Sequence, residues 1–208
     1  MYRVCKGIGD RIFALLGIII LLPLFLVVTL LILTDGKGKP VFRQERMGRG
    51  QKPFGMYKFR TMNRVDVPFE VDHAVIEARD ANVTPVGKVI RRLKIDELPQ
   101  LFNVLRGEMS LVGPRPLKAE YLATYEEWEF AKHEVKPGMT GLAQVYGNGY
   151  LEGKDRSYYD VYYARHYGLG LDVKILLRTI KVIFVGEKRT LKPVSEEQMA
   201  ALMAEMSK

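Results

Sequence analysis

The chain has 208 residues, a formal net charge of +8 and one cysteine, Cys5. This length is enough for one domain with a hydrophobic core, and a single cysteine excludes an internal disulfide. The positive charge indicates acidic partners such as phosphates, nucleic acid or an anionic membrane surface, and charge alone does not choose among them. No Cys/His cluster has zinc spacing, so a reducing, cytosol-facing location fits.

An uncharged apolar run occupies residues 12–33. As a helix it would be about 33 Å long, close to the thickness of a bilayer core. Pro23 near its midpoint predicts a kink. Basic residues flank both ends, which favours keeping both ends in the cytoplasm. These residues alone leave open a plain transmembrane helix and a broken re-entrant helix that enters one leaflet and returns. The flanking cations are Arg3, Lys6 and Arg11 before the run, and Lys37, Lys39, Arg43, Arg46 and Arg49 after it.

Residues 41–46 and 54–61 are predicted to be two strands of a hairpin, joined by a glycine-rich loop. Lys58 and Arg60 share one face of the second strand. Such a pair is either a solvated strand face or two cations that bind a diphosphate. Residues 63–83 show no clear periodicity and are predicted to be a surface excursion, after which a helix is expected to begin at Thr84.

Residues 95–116, IDELPQLFNVLRGEMSLVGPRP, contain the strongest candidate for chemistry. Their apolar spacing predicts a short helix with Asp96 as its N-cap and Gly107 just beyond its end. Asp96 and Glu97 would then lie where free N–H groups favour negative charge. Arg115 stands between two prolines that stiffen its backbone. Taken singly, such an aspartate is usually a cap and such an arginine a surface charge. The predicted apolar face is Leu98, Leu101, Phe102 and Leu105.

Three further helices are predicted downstream, over residues 118–135, 158–166 and 172–184. The last has a wide apolar face with a basic edge, which favours a membrane interface, although a core helix with a cationic outer face has the same pattern. From Glu187 the chain is polar, with a candidate terminal helix at residues 195–206.

Three blocks of this sequence resemble the bacterial sugar transferases, the monotopic phosphoglycosyl transferases. They are the stretch over residues 95–116, KFRTM from Lys58, and KPGMTGLAQV from Lys136. The resemblance covers nearly everything from residue 1 to about residue 185. It implies transfer of a sugar-1-phosphate from a UDP-sugar to a polyprenol phosphate, which would initiate assembly of a surface glycoconjugate.

The expected fold is α+β and mostly helical, with a β-hairpin and interfacial amphipathic helices around one catalytic domain. Residues 1–35 are expected to form the re-entrant membrane helix, residues 36–190 the catalytic domain and residues 191–208 a polar C-terminal tail. The resemblance implies a monotopic protein at the cytoplasmic face of the bacterial inner membrane. The expected partners are a UDP-sugar and a polyprenol phosphate, with no nucleic acid.

The expected catalytic residues are Asp96 and Glu97. Asp96 would attack the sugar-bearing phosphate and release UMP, leaving an aspartyl phosphosugar that the polyprenol phosphate then attacks. Glu97 would accept a proton or polarise the acceptor. Mg²⁺ would bridge Asp96 and the diphosphate. Arg115, Lys58 and Arg60 are the expected phosphate contacts.

Three more residues are candidate substrate contacts: Lys136, Thr140 and Asp160. The sequence departs from the usual family pattern at Lys136, where arginine is common, and at Lys94, where serine or threonine is common. Leu22 also stands where a serine often precedes the proline of the break. A membrane-anchored binding module for acidic lipid or RNA would also explain the charge and the apolar N-terminus, and it would not need the Asp-Glu pair. A lipid-phosphate hydrolase would also use a carboxylate and a metal, and it would release inorganic phosphate without a nucleotide sugar.

Overall fold

A computed structural model describes residues 2–35, 38–63 and 82–207, and over them it confirms the expected α+β, mostly helical class. Most of the predicted surface excursion over residues 63–83 lies outside the described residues. The helices are α1 (Tyr2–Thr34), α2 (Pro85–Arg92), α3 (Gln100–Arg106), α4 (Leu142–Val145), α5 (Gly153–His166), α6 (Leu169–Val185) and α7 (Glu196–Met206). The strands are β1 (Val41–Met47), β2 (Pro53–Phe59), β3 (Ser110–Val112) and β4 (Gly138–Thr140). The 3-10 helices are Arg49–Gln51, Ile95–Glu97, Ala119–Thr124, Glu127–Glu134, Asn148–Tyr150 and Glu187–Thr190.

The long helix α1 packs on the rest of the chain at both ends and in the middle. Near its start, Lys6 Nζ donates to Asp172 Oδ2 of α6 at 2.7 Å. Ala14 is buried against α3, and Ile32 is buried in a cluster that includes β2 and α2. The helix continues through Pro23 without interruption. The remaining surface of α1 is apolar and exposed, at residues that include Val4, Ile8, Ile12, Ile19, Ile20, Leu26 and Leu30.

The predicted hairpin is confirmed: β1 and β2 pair antiparallel, with Val41 opposite Phe59. A buried asparagine on α3 holds this hairpin. Asn103 Nδ2 donates to the carbonyl oxygen of Gly55 at 2.8 Å, and Asn103 Oδ1 accepts from the backbone N–H of Tyr57 at 3.0 Å. These bonds satisfy a side chain that is fully removed from solvent, and they fix which face of α3 meets the sheet.

The buried face of α3 therefore differs from the one predicted. Leu101 and Val104 are buried with Asn103, whereas Phe102 is 41% exposed. Phe102 instead meets Phe25 of α1 edge to face, with ring centroids 5.9 Å apart. Apolar spacing alone could not predict which face of α3 is buried, because Asn103, which determines that face, is polar.

A second sheet was not predicted from the sequence: β3 and β4 pair in parallel, with Ser110 opposite Gly138. Each strand has three residues, too few for a period of two to be recognised. The two backbones approach so closely that a Cβ on Gly138 would lie 2.0 Å from the nitrogen of Gly113. The backbone at KPGMTG therefore passes so close to another segment that glycine is needed there.

The main core lies between α4, α5, α6 and α7. Tyr163 of α5 and Ile175 of α6 are almost fully buried in it. Leu202 of α7 is 2% exposed and packs in the same cluster. The segment expected as a polar tail therefore carries a helix that docks on the core through an apolar side chain.

The starts of α2 and α7 lie where they were predicted. Thr84 Oγ1 accepts from the N–H of Gly87 at the start of α2, and Ser195 caps α7 in the same way through Gln198. The helices expected over residues 158–166 and 172–184 correspond to α5 and α6, both of which begin earlier than predicted.

The helix expected over residues 118–135 is wrong. The chain forms two 3-10 helices there, Ala119–Thr124 and Glu127–Glu134. Glu126 is extended, and it starts the second one with a reciprocal capping box whose other member is Glu129. A capping box interrupts a helix because its first residue must leave the helical conformation.

Candidate active site

Asp96 and Glu97 lie in the 3-10 helix Ile95–Glu97, which connects α2 to α3. Lys94, just before it, is left-handed with φ +57°. Because α3 begins only at Gln100, with Pro99 at its N-cap, the prediction that Asp96 caps this helix is wrong. Short 3-10 turns are common at the start of an α-helix, and this one carries both acidic residues away from the capping position.

The Glu97 carboxylate joins two cations from distant parts of the chain. Its Oε1 accepts from Lys58 Nζ of β2 at 2.9 Å and from Arg115 NH2 at 3.0 Å. All three side chains are at least partly withdrawn from solvent, at 16% exposure for Lys58, 20% for Glu97 and 34% for Arg115. The structure thus brings together three of the residues that the sequence singled out.

These contacts decide the charge of Glu97. Burial alone would disfavour its ionised form, but Lys58 and Arg115 outweigh burial and hold the pKa of Glu97 far below its usual range. In return, the Glu97 charge raises the pKa of Arg115. Glu97 is therefore an ionised carboxylate that orients two cations. This arrangement favours the orienting role, and the expected role as a proton acceptor stays a prediction.

The neighbouring Asp96 is in the opposite situation. Burial, and then the negative charge of Glu97, raise the pKa of Asp96, while Lys58, Arg91 and Lys94 act against the rise. Its carboxylate accepts no side-chain hydrogen bond from the residues that the structure describes. Two adjacent carboxyl groups whose pKa values are moved in opposite directions are typical of catalytic pairs.

Arg46 of β1 is a further cation close enough to Arg115 and Glu97 to interact with their charges. It was not predicted as a site residue from the sequence. Burial, and then the charge of Arg115, lower the pKa of Arg46 to about 10, and Glu97 acts in the opposite direction. In the hairpin register, Phe42 pairs with Lys58 and Arg46 pairs with Phe54. Paired residues share a face, so the alternation along β1 places Arg46 on the Lys58 face and could have identified it.

Arg60 does not join this cluster. Its NH2 group donates to the carbonyl oxygen of Ile32 at 2.8 Å, near the end of α1, and the side chain is 6% exposed. The phosphate contact expected for Arg60 stays a prediction, although β2 ends at Phe59, just before this residue. Beyond that residue the alternation of a strand no longer holds, and the guanidinium serves a helix carbonyl instead.

The other candidate substrate contacts lie outside the Lys58–Glu97–Arg115 cluster. Thr140 Oγ1 lies 2.7 Å from Thr179 Oγ1 of α6, and Asp160 forms a buried ion pair with Lys132. Lys136 lines a cavity at the far end of the hairpin. None of these contacts involves Asp96 or Glu97, so the substrate roles expected for Thr140, Asp160 and Lys136 gain no support from the geometry.

The acidic pair has the chemistry of a magnesium site that the substrate completes. Over the described ranges, no three His, Cys, Asp or Glu side chains converge to hold a metal by themselves. Mg²⁺ is usually held by one or two carboxylates together with substrate phosphates and water. Asp96 fits that role, since none of the described side chains donates a hydrogen bond to its carboxylate.

A model of the bacterial sugar transferase family matches residues 1–186, which include every residue of the cluster described above. The chain belongs to the bacterial sugar transferase family. The matched region therefore includes Asp96, Glu97, Lys58 and Arg115.

Individual bacterial sugar transferases are similar over much of the chain. The uncharacterized sugar transferase EpsL of Bacillus subtilis is 44% identical over 151 residues, which is 72% of this chain and 73% of that protein. The UDP-N-acetylgalactosamine-undecaprenyl-phosphate N-acetylgalactosaminephosphotransferase of Aeromonas hydrophila is 38% identical over 89% of this chain. The UDP-glucose:undecaprenyl-phosphate glucose-1-phosphate transferase of Klebsiella pneumoniae is 40% identical over 88%. The matched regions cover 45% and 41% of these last two proteins.

Proposed function

We propose that this protein transfers a sugar-1-phosphate from a UDP-sugar to a membrane polyprenol phosphate, giving a polyprenyl-diphospho-sugar and UMP. This reaction would initiate assembly of a surface glycoconjugate. The observation that carries the proposal is the acidic pair, in which an ionised Glu97 orients Lys58 and Arg115 beside an Asp96 whose pKa is raised. Membership of the family and the printed names of the relatives support it.

The first step uses Asp96 as the nucleophile. A carboxylate oxygen of Asp96 attacks the sugar-bearing phosphorus, a P–O bond to this oxygen forms, and the P–O bond to the UMP group breaks. UMP leaves with the bonding electron pair. The product is an aspartyl phosphosugar. A carboxylate with few hydrogen bonds and a raised pKa is a better nucleophile than one that is tightly ion-paired.

In the second step an oxygen of the polyprenol phosphate attacks the same phosphorus, and Asp96 leaves as a carboxylate. Lys58 and Arg115 offset the negative charge that the phosphoryl group carries in both steps. Glu97 holds these two cations in position. Mg²⁺ held at Asp96 would supply additional positive charge to the diphosphate when bound.

The packing of α1 supports a monotopic arrangement. The helix is about 50 Å long, and its first 11 residues and its last residues both contact the same globular part. Lys6 pairs with Asp172 at one end, and Asp35 Oδ2 accepts from the N–H of Val86 at the other. A helix that crossed the bilayer would carry one of these ends to the opposite surface.

The exposed surfaces fit lipid contact. By length and composition α1 is long and apolar enough to cross a membrane, and only 11% of its most apolar window is buried. On α6, Leu177 and Phe184 are 64% and 84% exposed. We therefore propose that α1 is a re-entrant helix whose two ends stay on the cytoplasmic face of the bacterial inner membrane, with α6 at the interface.

The covalent step is tested with a UDP-sugar labelled in the sugar. The purified full chain should retain label that hydroxylamine releases, and with polyprenol phosphate present it should release UMP. Asp96→Asn should abolish both signals, whereas Glu196→Gln, an exposed carboxylate-to-amide change on α7, should leave them intact. Unchanged turnover in Asp96→Asn would eliminate the covalent step, and inorganic phosphate release without nucleotide sugar would indicate a hydrolase instead.

A further inference from the structure

A cavity of about 810 Å³ opens at the turn of the β-hairpin. It is separate from the acidic pair, because the lining residue nearest to Lys58 along β2 is Phe54, four residues away, which is about 13 Å in an extended strand. Its walls come from the start of α1, the hairpin turn, the residues after α3 and residues 133–136. The charged residues of the lining are Arg3, Arg49, Lys52, Glu108, Glu134 and Lys136.

The cavity has an excess of positive charge, because four of these residues are cations and the two carboxylates already have partners. Glu108 Oε2 accepts from Asn103 Nδ2 at 2.7 Å. Glu134 Oε1 lies 3.1 Å from Arg165 NH2 on α5. Arg165 offsets the charge of Glu134 from outside the cavity, whereas the neutral amide of Asn103 only donates a hydrogen bond to Glu108. The lining therefore has four cations and two carboxylates, of which one is already paired with a cation elsewhere.

Lys136 contributes a partly buried positive charge to the cavity. Its side chain is half-buried and forms no ion pair or hydrogen bond with the residues that the structure describes. Burial, and then the charge of Arg11, lower its pKa. The acid acting on it is Asp10, which already accepts from Ser110 Oγ and lies 3.6 Å from Lys6 Nζ. An anion in the cavity would relieve this unpaired, partly desolvated ammonium.

The opposite wall is held in place by its own hydrogen bonds. His133 is 7% exposed and its Nδ1 lies 3.2 Å from the carbonyl oxygen of Gly48. A carbonyl can only accept, so Nδ1 carries the proton and donates it. Arg49 Nε donates to the carbonyl oxygen of Glu134 at 3.1 Å, which fixes the guanidinium at the rim. Arg49 is therefore positioned before any ligand arrives.

The cavity also adjoins the apolar surface of α1. Arg3 lines it, and the next exposed apolar side chains on that helix are Val4 at 68% and Ile8 at 54% exposure. A lipid whose acyl chains lie against this surface would have its headgroup at the level of Arg3. Basic pockets beside membrane helices are suited to phosphate headgroups.

We propose that this cavity binds the phosphate group of a membrane phospholipid, with Lys136, Arg49 and Lys52 as its principal contacts. The site is distinct from the one that handles the UDP-sugar, and it would fix the position of the N-terminal end of α1 relative to the headgroups.

The test measures binding of dihexanoylphosphatidylglycerol, below its micelle concentration, to the detergent-solubilised full chain by titration calorimetry. Lys136→Gln should weaken binding at least tenfold. Lys188→Gln, which removes the same charge from an exposed position, should change it by less than twofold. Equal affinities in these two variants would overturn the proposal. If Lys136→Gln fails to fold, Lys52→Gln, exposed at the rim, should weaken binding at least threefold, and an unchanged affinity there would overturn the proposal equally.

Two further ligands test which part of the phospholipid the cavity recognises. Dihexanoylglycerol, which lacks the phosphate, should not bind, and binding as tight as that of the phospholipid would show that the cavity does not recognise phosphate. Inorganic phosphate should compete only at much higher concentration. If it competes at the same concentration as the lipid, the site recognises free phosphate and the lipid assignment is wrong. No UDP-sugar is present, so failure here leaves the transferase proposal unaffected.

Discussion

Lys94 Nζ donates to Glu187 Oε1 at 2.6 Å, which ties the turn before Asp96 to the chain just after α6. The same Glu187 oxygen accepts from Asn148 Nδ2 at 2.9 Å. The turn that carries the proposed nucleophile is therefore held by a segment far away in sequence. Lys94 is also one of the cations that favour the ionised form of Asp96.

Replacing Lys94 should change the pH dependence of the reaction. In Lys94→Gln the pKa of Asp96 should rise further, because a cation that stabilises its carboxylate is lost. Asp96 acts in its ionised form, so UMP release rises with pH through this pKa, and the acid limb of kcat/KM should move to higher pH. Lys88→Gln, on the neighbouring α2, should leave the limb in place. If the acid limb of kcat/KM in Lys94→Gln is unchanged or moves to lower pH, the role assigned to Asp96 is contradicted.

Glu97→Gln should have two separate effects. Lys58 and Arg115 lose the charge that orients them, so the rate of UMP release should fall about 100-fold or more. At the same time Asp96 loses a like-charged neighbour, its pKa falls, and the remaining activity should persist to lower pH. Glu97→Asp keeps the charge and should retain more activity than the amide. Wild-type rates in Glu97→Gln would show that the two ion pairs are not needed.

Arg60→Met should reduce stability. It removes a donor from the carbonyl of Ile32 in a buried setting, which costs about 1–3 kcal/mol. Thermal unfolding in detergent measures the loss. Arg92→Met removes the same group from an exposed position on α2 and serves as the control. An unchanged melting temperature in Arg60→Met would mean that the contact with α1 does not contribute to stability.

The position of the N-terminus can be tested with the native cysteine. Cys5 is the single cysteine of the chain and is exposed, and it adjoins Lys6, which is tied to Asp172. A membrane-impermeant maleimide should fail to label Cys5 in intact spheroplasts and should label it after permeabilisation. A Cys5→Ser, Ser207→Cys variant, whose cysteine lies at the other end of the chain, should give the same pattern. Labelling of Cys5 in intact spheroplasts would instead indicate a spanning helix.

Asp160→Asn should destabilise the fold strongly. Asp160 and Lys132 are both buried, with side-chain exposures of 4% and 3%, and removing one partner of a buried pair typically costs about 3–5 kcal/mol. Lys154→Gln breaks an exposed pair and should leave the unfolding midpoint unchanged. If Asp160→Asn instead weakens the affinity for the UDP-sugar at unchanged stability, the result would support the substrate contact that the sequence predicted for Asp160.

Local signals predicted the elements that are decided locally. The hairpin follows from two strand-like segments around a glycine-rich loop, and the start of α2 follows from Thr84 as its capping residue. The parallel pairing of β3 with β4 joins Ser110 to Gly138 across the intervening chain, and no local pattern carries such information. The buried face of α3 was predicted wrongly for a related reason: Asn103, the side chain that determines this face, is polar, and the prediction used apolar residues only.

The candidate site shows the same division. The family motifs identified Asp96, Glu97, Lys58 and Arg115, and the structure brings Glu97 into contact with both cations. The sequence could not show that two residues only two positions apart, Lys58 and Arg60, serve different partners. That difference depends on where β2 ends, which is decided by tertiary contacts rather than by the strand sequence itself.

The attachment of α1 at both of its ends has a mechanical consequence. Lys6 and Asp35 hold both ends of the helix to the globular part. In the membrane placement proposed above, the protein and not the surrounding lipid would determine how deeply the helix is immersed. Lipids of different chain length would adjust around α1, because tilting the helix would break one of these two contacts.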